Sequence, residues 1–105
     1  MLDHKPIHPF ADQLIQWAEP WAAANPSVQA VHGPSDRDKI AAWVQADGES
    51  VGGQVTVWDS GECEVEVLDV ATGQPRWIEH FEFASEEDMH SVLVRFMEAI
   101  DRSPE

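Results

Sequence analysis

The run Glu62-Cys63-Glu64-Val65-Glu66-Val67 alternates a carboxylate with a small apolar side chain. A helix would scatter those glutamates around its surface. A β-strand, whose side chains point alternately to opposite sides, sorts them into one acidic and one apolar face. The segment is therefore read as a strand buried on one side, and it constrains how its neighbours pair. Gln54-Val55-Thr56-Val57-Trp58 precedes it, across the turn Asp59-Ser60-Gly61. A three-residue loop, with Gly61 in the left-handed position, pairs Trp58 with Glu62, Val57 with Cys63 and Val55 with Val65. A two-residue loop would set Val57 against Glu64 and Val55 against Glu66. That mixes the faces, which a sheet with one buried side does not tolerate.

The same reasoning extends to Arg76–Phe83, beyond the turn Ala71-Thr72-Gly73-Gln74-Pro75. Matching apolar residues pairs Val67 with Phe81 and Val65 with Phe83. It follows that Glu66 pairs with Glu82, Leu68 with His80 and Val70 with Ile78. The core face then holds Val55, Val57, Cys63, Val65, Val67, Phe81 and Phe83. The opposite face holds Gln54, Thr56, Trp58, Glu62, Glu64, Glu66, Leu68, Val70, Ile78, His80 and Glu82. Upstream, Ile40–Ala46 reads as a strand closed by Asp47-Gly48, and Trp43 could face either way. Residues 27–39 have no clear period, although Val28, Ala30 and Val31 have the composition of a short edge strand.

Helical spacing frames this β region. Met89, Val92, Leu93, Phe96, Met97 and Ile100 recur at three and four residues, the stripe of a helix that faces a core. Ser85 and Asp88 outline a capping box at its start, and Glu86, Glu87 and Asp88 suit the positive end of its dipole. Arg102 falls in its last turn. Ile7, Phe10, Leu14, Trp17 and Trp21 mark a second helix, which Pro20 is expected to kink or end near Glu19. Helix, consecutive strands and helix imply an α+β fold: an antiparallel meander of about four strands, flanked on one face by an N-terminal and a C-terminal helix.

Length and charge bound the function. A chain of 105 residues suits one domain with one core, spanning residues 1–105. Six Lys/Arg against twenty Asp/Glu give 6 − 20 = −14, and residues 59–88 carry ten of the acids with Arg76 as their one base. Such a field repels nucleic acid and anionic membrane and speeds encounter with cationic protein surfaces. The N-terminal Met1–Pro6 lacks the charged-then-apolar pattern of a leader, which leaves the cytoplasm as the expected compartment. Cys63, the lone cysteine, reads as a small buried hydrophobe.

Catalytic signatures are sparse. There is no glycine-rich phosphate loop, G-x-S-x-G elbow, C-x-x-C or H-E-x-x-H. His4 and His8 are four apart with Pro6 between them, a poor metal site. His80, near Glu66 and Glu82, has the chemistry of a general base, yet on an acidic sheet face it is more simply a solvated side chain. Glu64 and Glu66 lie about 7 Å apart on one strand face, a spacing seen in glycosidase pairs. A chain this short offers little to wall a cleft around them. The expectation is a non-enzyme with no catalytic residue, no metal and no cofactor.

The stretch Gly53-Gln-Val-Thr-Val-Trp58-Asp-Ser-Gly61-Glu-Cys-Glu-Val-Glu-Val-Leu-Asp-Val-Ala-Thr-Gly73 resembles the TriTu-type family of small bacterial immunity proteins. The continuation His80-Phe81-Glu82 and the Ser85-capped helix fit the same family, and the resemblance covers roughly residues 40–100. It implies stoichiometric neutralisation of an Rhs-type polymorphic toxin whose C-terminal domain is an ADP-ribosyltransferase acting on elongation factor Tu. The immunity protein would dock on that domain and block access of NAD⁺ or of the target.

An indole and apolar side chains beside a row of glutamates have the make-up of an interface anchor with a charged rim. The expected docking residues are Trp58, Asp59, Glu62, Glu64, Glu66, Leu68, Ile78, His80 and Glu82. Their partner would be the basic surface of a cognate toxin domain, met by a chain that is monomeric when free. The other reading is an acidic adaptor or chaperone-like module for a basic protein client. A third layer or a dimer over the apolar part would account for the same residues.

Overall fold

The acid–apolar alternation does form a strand, with the expected pairing on its upstream side. The computed structural model describes residues 10–33 and 40–101. Its elements run α1 (Phe10–Ala24), β1 (Val28–His32), β2 (Ala41–Asp47), β3 (Val51–Trp58), β4 (Glu62–Asp69), β5 (Pro75–Glu82) and α2 (Glu86–Asp101). The strands form one antiparallel sheet in sequence order, β1-β2-β3-β4-β5. The fold is α+β, with five strands rather than about four; the fifth is the segment at Val28–His32.

Val57 faces Cys63 and Val55 faces Val65, as the three-residue loop requires, and Gly61 adopts a left-handed φ of 98°. The β4–β5 register differs from expectation. Phe81 pairs with Cys63 rather than Val67, Glu66 with Ile78 rather than Glu82, and Glu64, not Leu68, with His80. The cause is the turn. Asp69 Oδ1 accepts the N–H groups of Ala71 and Thr72 at 3.0 and 3.1 Å, and Asp69 N–H donates to Gln74 O at 2.8 Å. This tight Asx-type closure ends the hairpin at Asp69, where apolar matching placed Val70 against Ile78. A slip by an even number of residues leaves every side chain on its side of the sheet, so the face assignments survive the wrong register.

Both helices lie on the apolar side, with α1 against β1–β3 and α2 against β3 and β4. Val44, Val55, Val57, Cys63, Val65 and Val67 are fully buried beneath Leu14, Leu93 and Phe96. At the start of α2 Asp88 N–H donates to the capping Ser85 Oγ at 3.2 Å, and Asp88 Oδ2 reaches past the cap to accept from Ala84 N–H at 3.1 Å. Helix α1 passes through Pro20 to Ala24 instead of ending near Glu19. An internal proline costs roughly 3 kcal/mol. Here Pro20 is exposed, and Ala18 before it and Trp21 after it hold the helix on the core. Packing outweighs the lost hydrogen bond. Ile7, Arg102 and the segment 34–39 lie outside the described residues.

Candidate functional site: the outer face of the sheet

Alternation along five paired strands places one side chain from each strand in rows across the sheet. On the side away from the helices, one row is Gln29, Gln45, Gln54, Glu66 and Ile78; the next is Val31, Trp43, Thr56, Glu64 and His80. Beyond them Ala41 pairs with Trp58, and Glu62 with Glu82. No described element covers this face.

Glu64, Glu66 and Glu82 are exposed, and Ile78 is 61% exposed. His80 lies between Glu64 and Glu82, its ring nitrogens 3.7 and 3.8 Å from their carboxylates. Its carboxylate neighbours are thus Glu64 and Glu82, where the expected register had given Glu66 and Glu82. The Glu66 carboxylate has no hydrogen bond or ion pair among the described residues; its cross-strand neighbours are the amide of Gln54 and the apolar Ile78. Two shallow grooves meet there, since Gln54 and Glu66 line both. One, of about 600 Å³, runs toward Gln29, Leu68 and Val70; the other, of about 380 Å³, toward Thr56, Glu64 and His80.

Two of the expected docking residues stand differently. Trp58 is half-buried rather than fully presented. Asp59 sits in the hairpin turn and is half-buried, its Oδ1 accepting the Ala11 N–H of α1 at 3.4 Å, so it serves the fold. Leu68 and Glu62 are half-buried on the face. Trp43 and the glutamines on β1–β3 share this side as well. Sequence reasoning left Trp43 open and did not extend the site to Gln29 or Gln45. Pairing β2 with β3 would have reached them.

Among the described residues the positive groups lie elsewhere. Arg76 and Arg95 are the only Lys or Arg among the described residues. Arg76 pairs with Asp69 at 3.2 Å, and the Arg95 guanidinium rests 4.7 Å from the centre of the Trp77 ring, on the helix side. Glu79, on the apolar parity of β5, is held by the Trp77 indole N–H at 2.9 Å. Cys63 is fully buried, and desolvation, aided by the charge of Glu64, pushes its thiol up to about 12, which makes it a poor nucleophile.

Among the described residues no cluster of three or more His, Cys, Asp or Glu is placed to hold a metal, and no helix is long and apolar enough to cross a membrane. The arrangement sets carboxylates over open grooves, with exposed aliphatic side chains at their margin. No curated protein matches the chain. The sequence does match, over residues 12–99, the family described as immunity protein TriTu, a span that takes in every element from the first turn of α1 to the last turn of α2. The chain belongs to the TriTu family of immunity proteins.

Proposed function

We propose that the chain neutralises a cognate toxin domain by binding it stoichiometrically through the outer sheet face, without catalysis of its own. The observation that carries this reading is the division of the sheet. Its inner face is consumed by α1 and α2, while its outer face keeps Glu64, Glu66 and Glu82 beside an exposed Ile78. Glu64 and Glu82 lie diagonally across the β4–β5 ladder on either side of His80, where like charges cost about a few tenths of a kcal/mol, so a face kept only for stability gains nothing from them. A cationic partner removes that cost on docking, and Ile78 and Leu68 supply apolar area at the contact.

The toxin domain fitting this family resemblance is an Rhs-type ADP-ribosyltransferase acting on elongation factor Tu. A domain that binds an anionic dinucleotide presents a basic cleft, which complements the glutamates. Occupying that cleft, or its rim, blocks NAD⁺ or the target protein. The complex forms in the cytoplasm from a free monomer, with no nucleic acid or membrane involved.

Co-expression of the chain with the toxin domain encoded beside its gene should restore growth of cells that the toxin alone kills. Purified toxin domain should lose ADP-ribosyl transfer as the chain approaches one equivalent. Transfer that persists at several equivalents would sink the reading.

A further inference from the structure

Strand β5 ends the sheet, and no described element pairs with its open edge. Eight residues long, it is exposed throughout except at Trp77 and Phe81. The orientation of its amides follows from one hydrogen bond. Phe83 N–H donates to Gly61 O at 2.8 Å, continuing the β4–β5 ladder past the end of β5. Backbone groups of a strand turn alternately to one neighbour and the other. Phe81 and Glu79 therefore also direct their N–H groups to β4. Ile78, His80 and Glu82 direct theirs to the open edge, and their side chains lie on the outer face.

We propose that β5 accepts an extended, lysine- or arginine-bearing segment of the toxin domain as a sixth strand, in register with Ile78, His80 and Glu82. The inference rests on the toxin-binding function proposed above and specifies how the partner docks. Unpaired edge groups are a template for strand addition, and natural edges are usually blunted by lysine, proline or inward-pointing charge. Here Pro75 protects only the start of β5, the strand has no lysine, and its one charge on the inner parity is the acidic Glu79.

Glu79 decides which strand may add. It stands on the apolar parity between Trp77 and Phe81. If a second copy paired β5 to β5 with Trp77 opposite Phe81, Glu79 would face Glu79 at the two-fold axis. With a net charge of −14 on each chain, self-pairing is opposed both locally and globally. A basic strand meets the reverse situation. Its outer-face side chains would fall beside Ile78, exposed and apolar, and beside His80 and Glu82, with Glu64 one strand behind. The segment that fits alternates basic and aliphatic residues on that side.

Amide exchange on the labelled full chain, alone and with a catalytically inactivated form of the toxin domain encoded beside its gene, tests the inference. The amides of Ile78, His80 and Glu82 should slow at least tenfold in the complex, while Glu79 and Phe81, already in the β4 ladder, change little. A complex that forms with those three amides unchanged overturns strand addition and leaves the immunity function standing. Failure to form any complex overturns both. A second measurement separates backbone from side chain. His80→Pro removes an edge donor and keeps the β4 ladder, whereas His80→Ala removes only the imidazole. The proline variant should bind at least tenfold more weakly than the alanine variant, and equal affinities would count against an edge contact.

Discussion

The ring of Phe96 on α2 sits directly over Gly53 on β3, where a Cβ would lie 3.1 Å from Phe96 Cε1. The same Cβ would meet Glu66 O at 2.4 Å and Val67 Cγ2 at 3.1 Å, so the backbone of β4 would have to move. Gly53→Ala is therefore expected to destabilise the protein by about 1–3 kcal/mol, the usual range for overpacking a tight core. At roughly 4–8 °C per kcal/mol for a domain of this size, the loss should be plain in a thermal melt. Gly52→Ala is the control. Its added methyl would meet the Asp47 carboxylate at 2.9 Å, the end of a side chain that can swing aside. Equal losses for the two variants would show that the Phe96–Gly53 contact does not set the seating of α2.

Asp69 closes the β4–β5 turn, and its carboxyl is held below the ordinary 3.8, first by the hydrogen bond from Thr72 N–H, then by Ala71 N–H, the Thr72 hydroxyl and Arg76. A depressed carboxyl contributes stability that is present above its unfolded pKa and lost as pH falls through the folded value. Stability should accordingly fall as pH drops below 3.8, and Asp69→Ala should lose this component at neutral pH while flattening the acid side of the curve. Urea melts across that range read it directly. An unaltered acid limb in the variant would show that Asp69 does not hold the turn.

That turn also marks where sequence reasoning failed. The β3–β4 register was legible because glutamates alternate with valines on β4, and any other loop buries charge. Between β4 and β5 the criterion was weaker. Phe81 is compatible with Val67 or Cys63, since both lie on the apolar side, and the Asx closure at Asp69 chose Cys63. Pro20 misleads because local propensity carries no trace of the packing of Ala18 and Trp21. For the site, parity alone brought Glu64, Glu66, Ile78 and His80 together on one face. It could not foresee that Asp59 would turn to α1, or that Trp58 would be half-buried, because both depend on contacts made beyond their own hairpin.

Cys63 pairs with Phe81 at the centre of the buried face, and burial raises its thiol from 9.0 to about 12. The unfolded chain ionises this group first, so it costs no stability below pH 9.0, and stability declines as pH rises from there toward 12. The slope is at most about 1.4 kcal/mol per pH unit. The chain has no tyrosine to confuse the same range. Cys63→Ala should abolish this alkaline component, apart from a constant loss for the cavity it leaves. In the native protein at pH 8 the thiol should react with an aromatic disulfide far more slowly than in urea; comparable rates would show that the site opens readily.

Reversing charge on the outer face tests the docking surface without touching the core. Glu64 and Glu66 are exposed, so Glu64→Lys with Glu66→Lys should leave the melting temperature unchanged or slightly higher, since acidic repulsion with Glu62 and Glu82 is relieved. Trp58 is left in place because it is half-buried, and removing it would confound binding with folding. Against the toxin domain, the double variant should lose about 2 kcal/mol or more of binding, some thirtyfold in Kd, if the face meets a basic surface. The association rate of the unaltered chain should fall as salt rises from 0.05 to about 0.3 M, and that dependence should weaken in the variant. Unaltered affinity together with an unaltered salt dependence would exclude this side of the sheet as the contact. Lost affinity with a preserved melting temperature would place the toxin over Glu64 and Glu66.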